Sequence, residues 1–208
     1  VILTFSVDSL IDYLSSEKPQ VLYNMGLSKE DCEQIYDVKE DNDFSRTKIQ
    51  PLLYKTIVNT ANAPFYTPFF IKSDASSRAY WLFHFSTHAI ARDEMMKIHW
   101  KNQNTFVHHA GAGLKMFVGY DSKCKDNLFN HSNYTFDDLS KEKSIQLLSC
   151  ELPKIIQEKK CLDFNSLNNL IANETPVTRD IIRESLANSI ESGEIKIVSK
   201  DNNQIRRK

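Results

Sequence analysis

YWLFHFSTHAIARDEMMKIHW, Tyr80 to Trp100, is the stretch whose reading decides the fold. Its first six residues, Tyr80 to Phe85, contain four aromatics and neither glycine nor proline, the composition of a buried strand. A helix pattern follows directly. Ser86 or Thr87 can cap its first turn, and Ala91, Met95 and Ile98 recur at spacings of four and three, which places them on one face. A strand that feeds a helix without a long loop is one half of an α/β layer. Catalytic groups often sit at such a junction, because the last strand residue and the first helical turn meet at a sheet's carboxyl edge.

The polar residues of this element are the enzyme-like feature of the chain. His84 lies on the strand face opposite Trp81, Phe83 and Phe85, His88 and Arg92 stand four apart at the helix start, and His99 lies further along. His108 and His109 belong to the polar segment that follows, and a loop folded back would bring several imidazoles towards Asp93. His84, His88, Arg92 and Asp93 are therefore the candidate catalytic residues, as acid/base groups or substrate contacts, against a competing reading as packing and capping residues. No His-Glu-x-x-His and no cysteine-histidine quartet is present, so no metal ligands are assigned. The glycines Gly111 and Gly113 precede an extended-looking LKMFVGY, not a helix, and read as a turn, not as a phosphate loop.

Upstream, Val1 to Phe5 reads as a strand and the next eleven residues as a helix, with Val7, Leu10, Ile11 and Leu14 at helical spacing. Asp8 and Asp12 lie four apart there, either near a helix start, where the dipole favours negative charge, or as carboxylates for a divalent metal. A second helix begins after Ser28, an N-cap with Asp31 three residues on, and Ile49, Leu52, Leu53, Ile57 and Val58 suggest a third within Phe44 to Ala61, with Pro51 tolerated if it falls in the first turn. Phe65 to Lys72 and Arg78 to Phe85 form a β-hairpin whose first arm, carrying Pro68, should be an edge strand or bulged. Added to a parallel unit that starts at Val1, this hairpin predicts a mixed sheet. The fold expected for residues 1–125 is thus α/β, a partial Rossmann-like mixed sheet with helices, ending in a stretch poor in aliphatics.

Residues 126–208 read as a separate module. A long helix carries Ile145, Leu148, Leu152 and Ile155, with Pro153 expected to kink or shorten it. A short helix follows in FNSLNNLIANET, and then a well-bounded one from Thr178 to Ser192 with Gly193 as its C-cap. EIKIVSKDNNQIRRK completes the pattern as strand, turn and returning arm. Helices followed by a two-stranded wing make a winged helix-turn-helix. Its recognition helix would expose Arg179, Arg183, Asn188 and Glu191, and its wing would place Lys196, Lys200, Arg206, Arg207 and Lys208 against phosphates.

With 41% hydrophobic and 25% charged residues in 208, the chain has the composition of a globular protein and excludes wholesale disorder. A net charge of -1 gives no global attraction to nucleic acid, which leaves the terminal basic cluster as the one basic patch. Cys32, Cys124, Cys150 and Cys161 form no close pair, the pattern of reduced thiols in a cytoplasmic protein. No apolar run reaches the roughly 18 residues of a membrane span. Because Val1 stands inside a strand-like run without a lead-in, the chain is expected to be a portion of a longer protein.

AYWLFHFSTHAIARDEMMKIHW resembles the strand and helix near the end of the methyltransferase-like domain of the three-Cys-motif partner protein family, TcmP. VILTFSVDSLIDYL resembles a late strand and helix of the same domain, and the tail resembles its C-terminal winged helix. The resemblance implies a bacterial or phage protein whose upstream half carries a Rossmann-like S-adenosylmethionine site, with no cofactor in this portion. It implies association with a radical-SAM-like partner bearing the three-cysteine motif, while the winged helix itself reads as a module that contacts either DNA or a protein, or serves as structural support. Two other functions compete: a non-enzymatic winged-helix DNA-binding protein, and a metal-dependent nuclease using Asp8, Asp12 and the histidines.

Overall fold

The computed structural model of the chain describes residues 1–6, 9, 13–14, 20–40, 46–72, 79–102, 114, 134 and 136–198. In chain order the elements are β1 (Ile2–Ser6), α1 (Gln20–Asn24), α2 (Lys29–Glu40), α3 (Arg46–Ala61), β2 (Phe65–Lys72), β3 (Ala79–Ser86), α4 (Ala89–Lys101), α5 (Asp138–Lys159), α6 (Phe164–Ile171) and α7 (Arg179–Glu191). The expected helix bearing Asp8 and Asp12, the segment with His108, His109, Gly111 and Gly113, and the returning arm of the wing lie outside the described residues.

The three strands form one sheet in the order β1-β3-β2. β3 pairs antiparallel with both neighbours, Ile2 opposite His84 on one side and Phe65 opposite Ser86 on the other. The expected mixed sheet is therefore corrected: among the described strands every pairing is antiparallel. β1 and β2 do run in the same direction, joined by the helices α1 to α3, but β3 sits between them. The central place falls to β3 because it has apolar residues on both faces. Phe83 and Phe85 are buried against Leu22, Leu27, Ile35, Leu53 and Ile57 of the α1–α3 side. Leu82, on the opposite face, packs with Met96 of α4. Pro68, which has no N–H to give to a ladder, lies opposite Phe83 on the edge strand β2, where the sequence placed it.

The C-terminal region is helical. α5, α6 and α7 enclose Leu148, Leu152, Leu167, Ile171, Val177, Ile181 and Ile182. Asp137 caps α5 by accepting from Ser140 N at 2.8 Å, and Asp163 caps α6 through Asn165 N and Ser166 N. Gly193 takes a φ of 82° just beyond the end of α7 and its N–H reaches Ile190 O, the terminator expected from the sequence.

Pro153 neither shortens nor ends α5, which continues through it to Lys159. A proline removes the N–H that would bond four residues back, freeing the carbonyl of Ser149. That carbonyl accepts instead from Ser189 Oγ of α7 at 3.0 Å, while Ser149 Oγ donates to Ser185 O at 3.2 Å. The proline thus creates an acceptor that ties the two long helices together. Beyond α7, Val198 lies in an isolated β-bridge, and no extended wing strand is present among the described residues.

An aromatic trio joins the two regions. Trp100 of α4, Tyr134 and Phe136 meet edge to face with centroids 5.0 to 5.9 Å apart. Phe136 holds a φ of 53°, unusual for a bulky residue, immediately before the α5 cap.

Candidate functional site

α4 is turned in a way its apolar pattern does not announce. Ala91, Met95 and Ile98 share a face, as their spacing requires, yet Ala91 is exposed and Ile98 is 51% exposed. The buried residues are Arg92, Asp93, Met96 and His99. A largely polar helix face is thus the one that packs inward. The cap also shifts: β3 runs one residue further than expected, through Ser86, so His88 becomes the N-cap residue and Ser86 Oγ donates to its carbonyl.

The four candidate catalytic residues separate into two pairs. His84 and His88 line an open groove of about 650 Å³ with Ala61, Asn62, Ala63, Ser86, Thr87 and Ala91. Burial holds the His84 imidazole below its ordinary pKa, and its Nδ1 has no hydrogen-bond partner among the described residues. Because β3 opposes β1 and β2, this groove lies at the amino ends of those two strands.

Arg92 and Asp93 face the other way, into the turn between α6 and α7. Arg92 is 2% exposed; its Nη1 donates to Val177 O at 2.9 Å and its Nη2 to Thr175 O. Trp100 Nε1 donates to Pro176 O at 2.9 Å. Asp93 Oδ1 accepts from Arg179 N at 2.7 Å, and its other oxygen lies 3.3 Å from Lys97 Nζ. Three successive carbonyls and the first amide of α7 are therefore all held by side chains of one helix. On the sheet, Asn173 extends the seam, accepting from Tyr66 N at 3.0 Å and donating to Pro64 O at 2.8 Å.

The local sequence explains why the seam takes this form. Arg92, Met96 and Trp100 are each four apart and so rise along one stripe of α4. Thr175, Pro176, Val177 and Thr178 are all buried, and a buried turn must have its backbone polar groups satisfied from elsewhere. A guanidinium supplies two parallel donors to carbonyls on either side of a proline. Burial pulls Arg92 down to about 10, with Asp93 pulling the other way, so it stays a cation at neutral pH. The carboxylate of Asp93 sits at the positive end of α7, where the helix dipole favours it.

The basic residues expected on the recognition helix are engaged within the chain. Arg179 Nη2 donates to Asn165 Oδ1 at 2.7 Å, and Arg183 Nη1 pairs with Asp180 at 2.7 Å. Both guanidiniums lie over the Phe164 ring, at 5.2 and 4.7 Å from its centroid. Lys141 of α5 pairs with Glu184 at 2.8 Å. Asn188, Glu191 and Lys196 are exposed, whereas Lys200, Arg206, Arg207 and Lys208 lie outside the described residues.

Among the described residues no group of three or more histidine, cysteine, aspartate or glutamate side chains could hold a metal ion. The groove beside His84 has no carboxylate in its lining to take the ribose hydroxyls or the ammonium of S-adenosylmethionine, and no glycine-rich turn leaves a described strand. The described lining of this groove does not fit that cofactor. Nor is any helix among them long and apolar enough to cross a membrane.

Seam and helices together define a class: an α/β unit with an antiparallel sheet, followed by a three-helix region held against α4. Within that class, residues 119–202 match the model of a family described as the GMT-like wHTH domain. A winged-helix domain of this kind therefore forms the C-terminal region, in keeping with the C-terminal part expected from the resemblance to TcmP proteins. No curated protein and no solved structure matches the chain.

Arg92 and Asp93 stand out in the sequence as polar residues of the central element, whereas nothing in the sequence marks Asn173, Trp100 or the turn before Thr178 as their partners. A proline flanked by β-branched residues immediately before a helix cap was the available signal, since such a turn is well suited to burial.

Proposed function

We propose that this chain is the C-terminal portion of a methyltransferase-like protein of the TcmP type, in which the winged helix is a fixed arm that presents the protein to a macromolecular partner. The observation that carries this reading is the seam. A domain whose connecting turn is bound at three carbonyls and one amide by a single helix is oriented, not tethered. The match over residues 119–202 supports the type of domain. The directions of β1 and β2, with β3 between them, suit the edge of a larger sheet whose reactive face lies at the Ser6 and Lys72 end.

Arg92 and Asp93 are then positioning residues. His84 and His88, at the opposite end from that reactive face, contact a partner or the rest of the protein and not a substrate. A radical-SAM-like protein with three cysteines is the partner the resemblance implies. It is preferred to DNA because the exposed side of α7 is mixed in charge, with Asp180, Glu184 and Glu191 beside Arg183.

Co-expression of the full-length protein with such a partner tests the proposal. A complex that survives half-molar salt, with no salt-sensitive duplex binding by the protein alone, is the expected result. Steeply salt-dependent duplex binding without the partner would instead give the winged helix to nucleic acid.

A further inference from the structure

Where α4 crosses the sheet and meets the turn before α7, three buried polar atoms have no hydrogen-bond partner among the described residues. They are Thr67 Oγ1 of β2, Arg92 Nε of α4 and Thr175 Oγ1 of the turn. The residues are 0%, 2% and 0% exposed. Folded proteins satisfy such enclosed groups with an internal water or a bound ion. Three of them, contributed by three separate elements, mark a site.

The topology brings the three together. Thr67 lies directly opposite His84 across the β2–β3 ladder, and His84 shares with Leu82 the sheet face on which α4 packs. Arg92 reaches from α4 to the turn, where its Nη2 donates to Thr175 O. Asn173, two residues before Thr175, accepts from the amide of Tyr66, the residue before Thr67, and so holds the turn against β2. His84 borders the group: its Nδ1 is also unpartnered, and its pKa is lowered first by burial, then by the positive charges of the Val1 amine and of Arg92.

The donor set defines what would bind. A guanidinium Nε–H can only donate, and a threonine hydroxyl can donate too, so one species that satisfies all three accepts hydrogen bonds. Both Nη groups of Arg92 are on neutral carbonyls, and the oxygens of Asp93 are taken by Arg179 N and Lys97, so the guanidinium has no carboxylate of its own. We infer that the seam encloses one small hydrogen-bond acceptor, a water molecule or a halide ion, held by Arg92 Nε, Thr67 Oγ1 and Thr175 Oγ1. It ties the sheet to α4 and the turn, and it makes the seam more rigid.

Urea unfolding of the whole chain, followed by tryptophan fluorescence, tests the site with Thr67→Val, Thr175→Val and the double variant. Valine keeps the shape of threonine and removes only the hydroxyl. A buried hydroxyl with nothing to bind is better absent, so without a shared ligand each change leaves the folding equilibrium constant equal or higher. With a shared ligand each single variant should lower that constant about tenfold, and the double variant should lose little more than either, because both act through one species. Repeating the series in sodium chloride and in sodium acetate at equal ionic strength identifies the ligand. Extra stability in chloride that Thr67→Val abolishes assigns a halide, and losses indifferent to the salt assign water. Neutral or stabilising single variants, or losses that simply add, would overturn the inference. None of these readings involves a partner, so the co-expression result stands or falls separately.

Discussion

The interior of the winged helix and the seam that fastens it to α4 are both buried, but they are built on opposite rules. In the first, Leu148, Leu152, Leu167, Ile171 and Val177 meet as apolar surface, and an apolar side chain of similar volume is tolerated. In the second, Arg92, Asp93 and Trp100 bind main-chain atoms of Thr175, Pro176, Val177 and Arg179. The difference teaches that a domain can be folded by hydrophobic pattern and yet oriented by hydrogen bonds to its backbone.

Breaking the seam at its most buried point should have the largest effect. Arg92→Ala leaves two interior carbonyls without donors and should lower stability by about 3–5 kcal/mol in thermal or urea unfolding. Arg92→Lys should restore little of this, since an ammonium cannot match the planar pair of donors. The apolar interior should respond differently: Leu148→Ala should cost about 2–5 kcal/mol, but Leu148→Met under about 1.5 kcal/mol. Equal tolerance of the two conservative changes would erase the distinction between the regions.

A smaller loss, about 1–2 kcal/mol, is expected from Trp100→Phe, which keeps most of the ring but abandons Pro176 O. Acid should act more weakly still, through His84. Burial leaves this imidazole binding its proton less readily in the folded chain than in the unfolded one, so stability is full above the ordinary value of 6.5 and falls as pH drops below it. His84→Gln should flatten that part of the melting-temperature profile. Least of all, Ile98→Ser on the exposed stripe of α4 should stay within about 0.5 kcal/mol of the parent; a larger loss would mean that the outward face of α4 is covered after all.

Much of the fold was legible because it rests on side-chain periodicity and turn chemistry. The aromatic strand, the edge position of Pro68 and the Gly193 terminator all appear where the residues point. One expectation failed for a physical reason. The mixed sheet gave way because β3, apolar on both faces, took the central position between the co-directional strands. Pro153 lies inside a long helix, as its neighbours' spacing predicts, but the carbonyl it frees finds Ser189 of another helix, a partner that no local pattern reveals. For the candidate site, Arg92 and Asp93 stood out as polar residues in a helix, but their acceptors and donor are backbone atoms. Main-chain groups carry no residue signature, so the seam could not be read from spacing, and the inward rotation of α4 followed from it unseen.

Amide hydrogen exchange at Arg179 tests the central claim most directly, because the atom concerned belongs to the main chain and no substitution is needed to observe it. A first-turn amide of a helix normally exchanges fast, lacking an intrahelical acceptor. With Asp93 as its acceptor, the Arg179 amide should exchange slowly, at a rate close to that of Ile182 one turn further on. Exchange as fast as that of an open helix end would show that α4 does not hold the winged helix by its backbone.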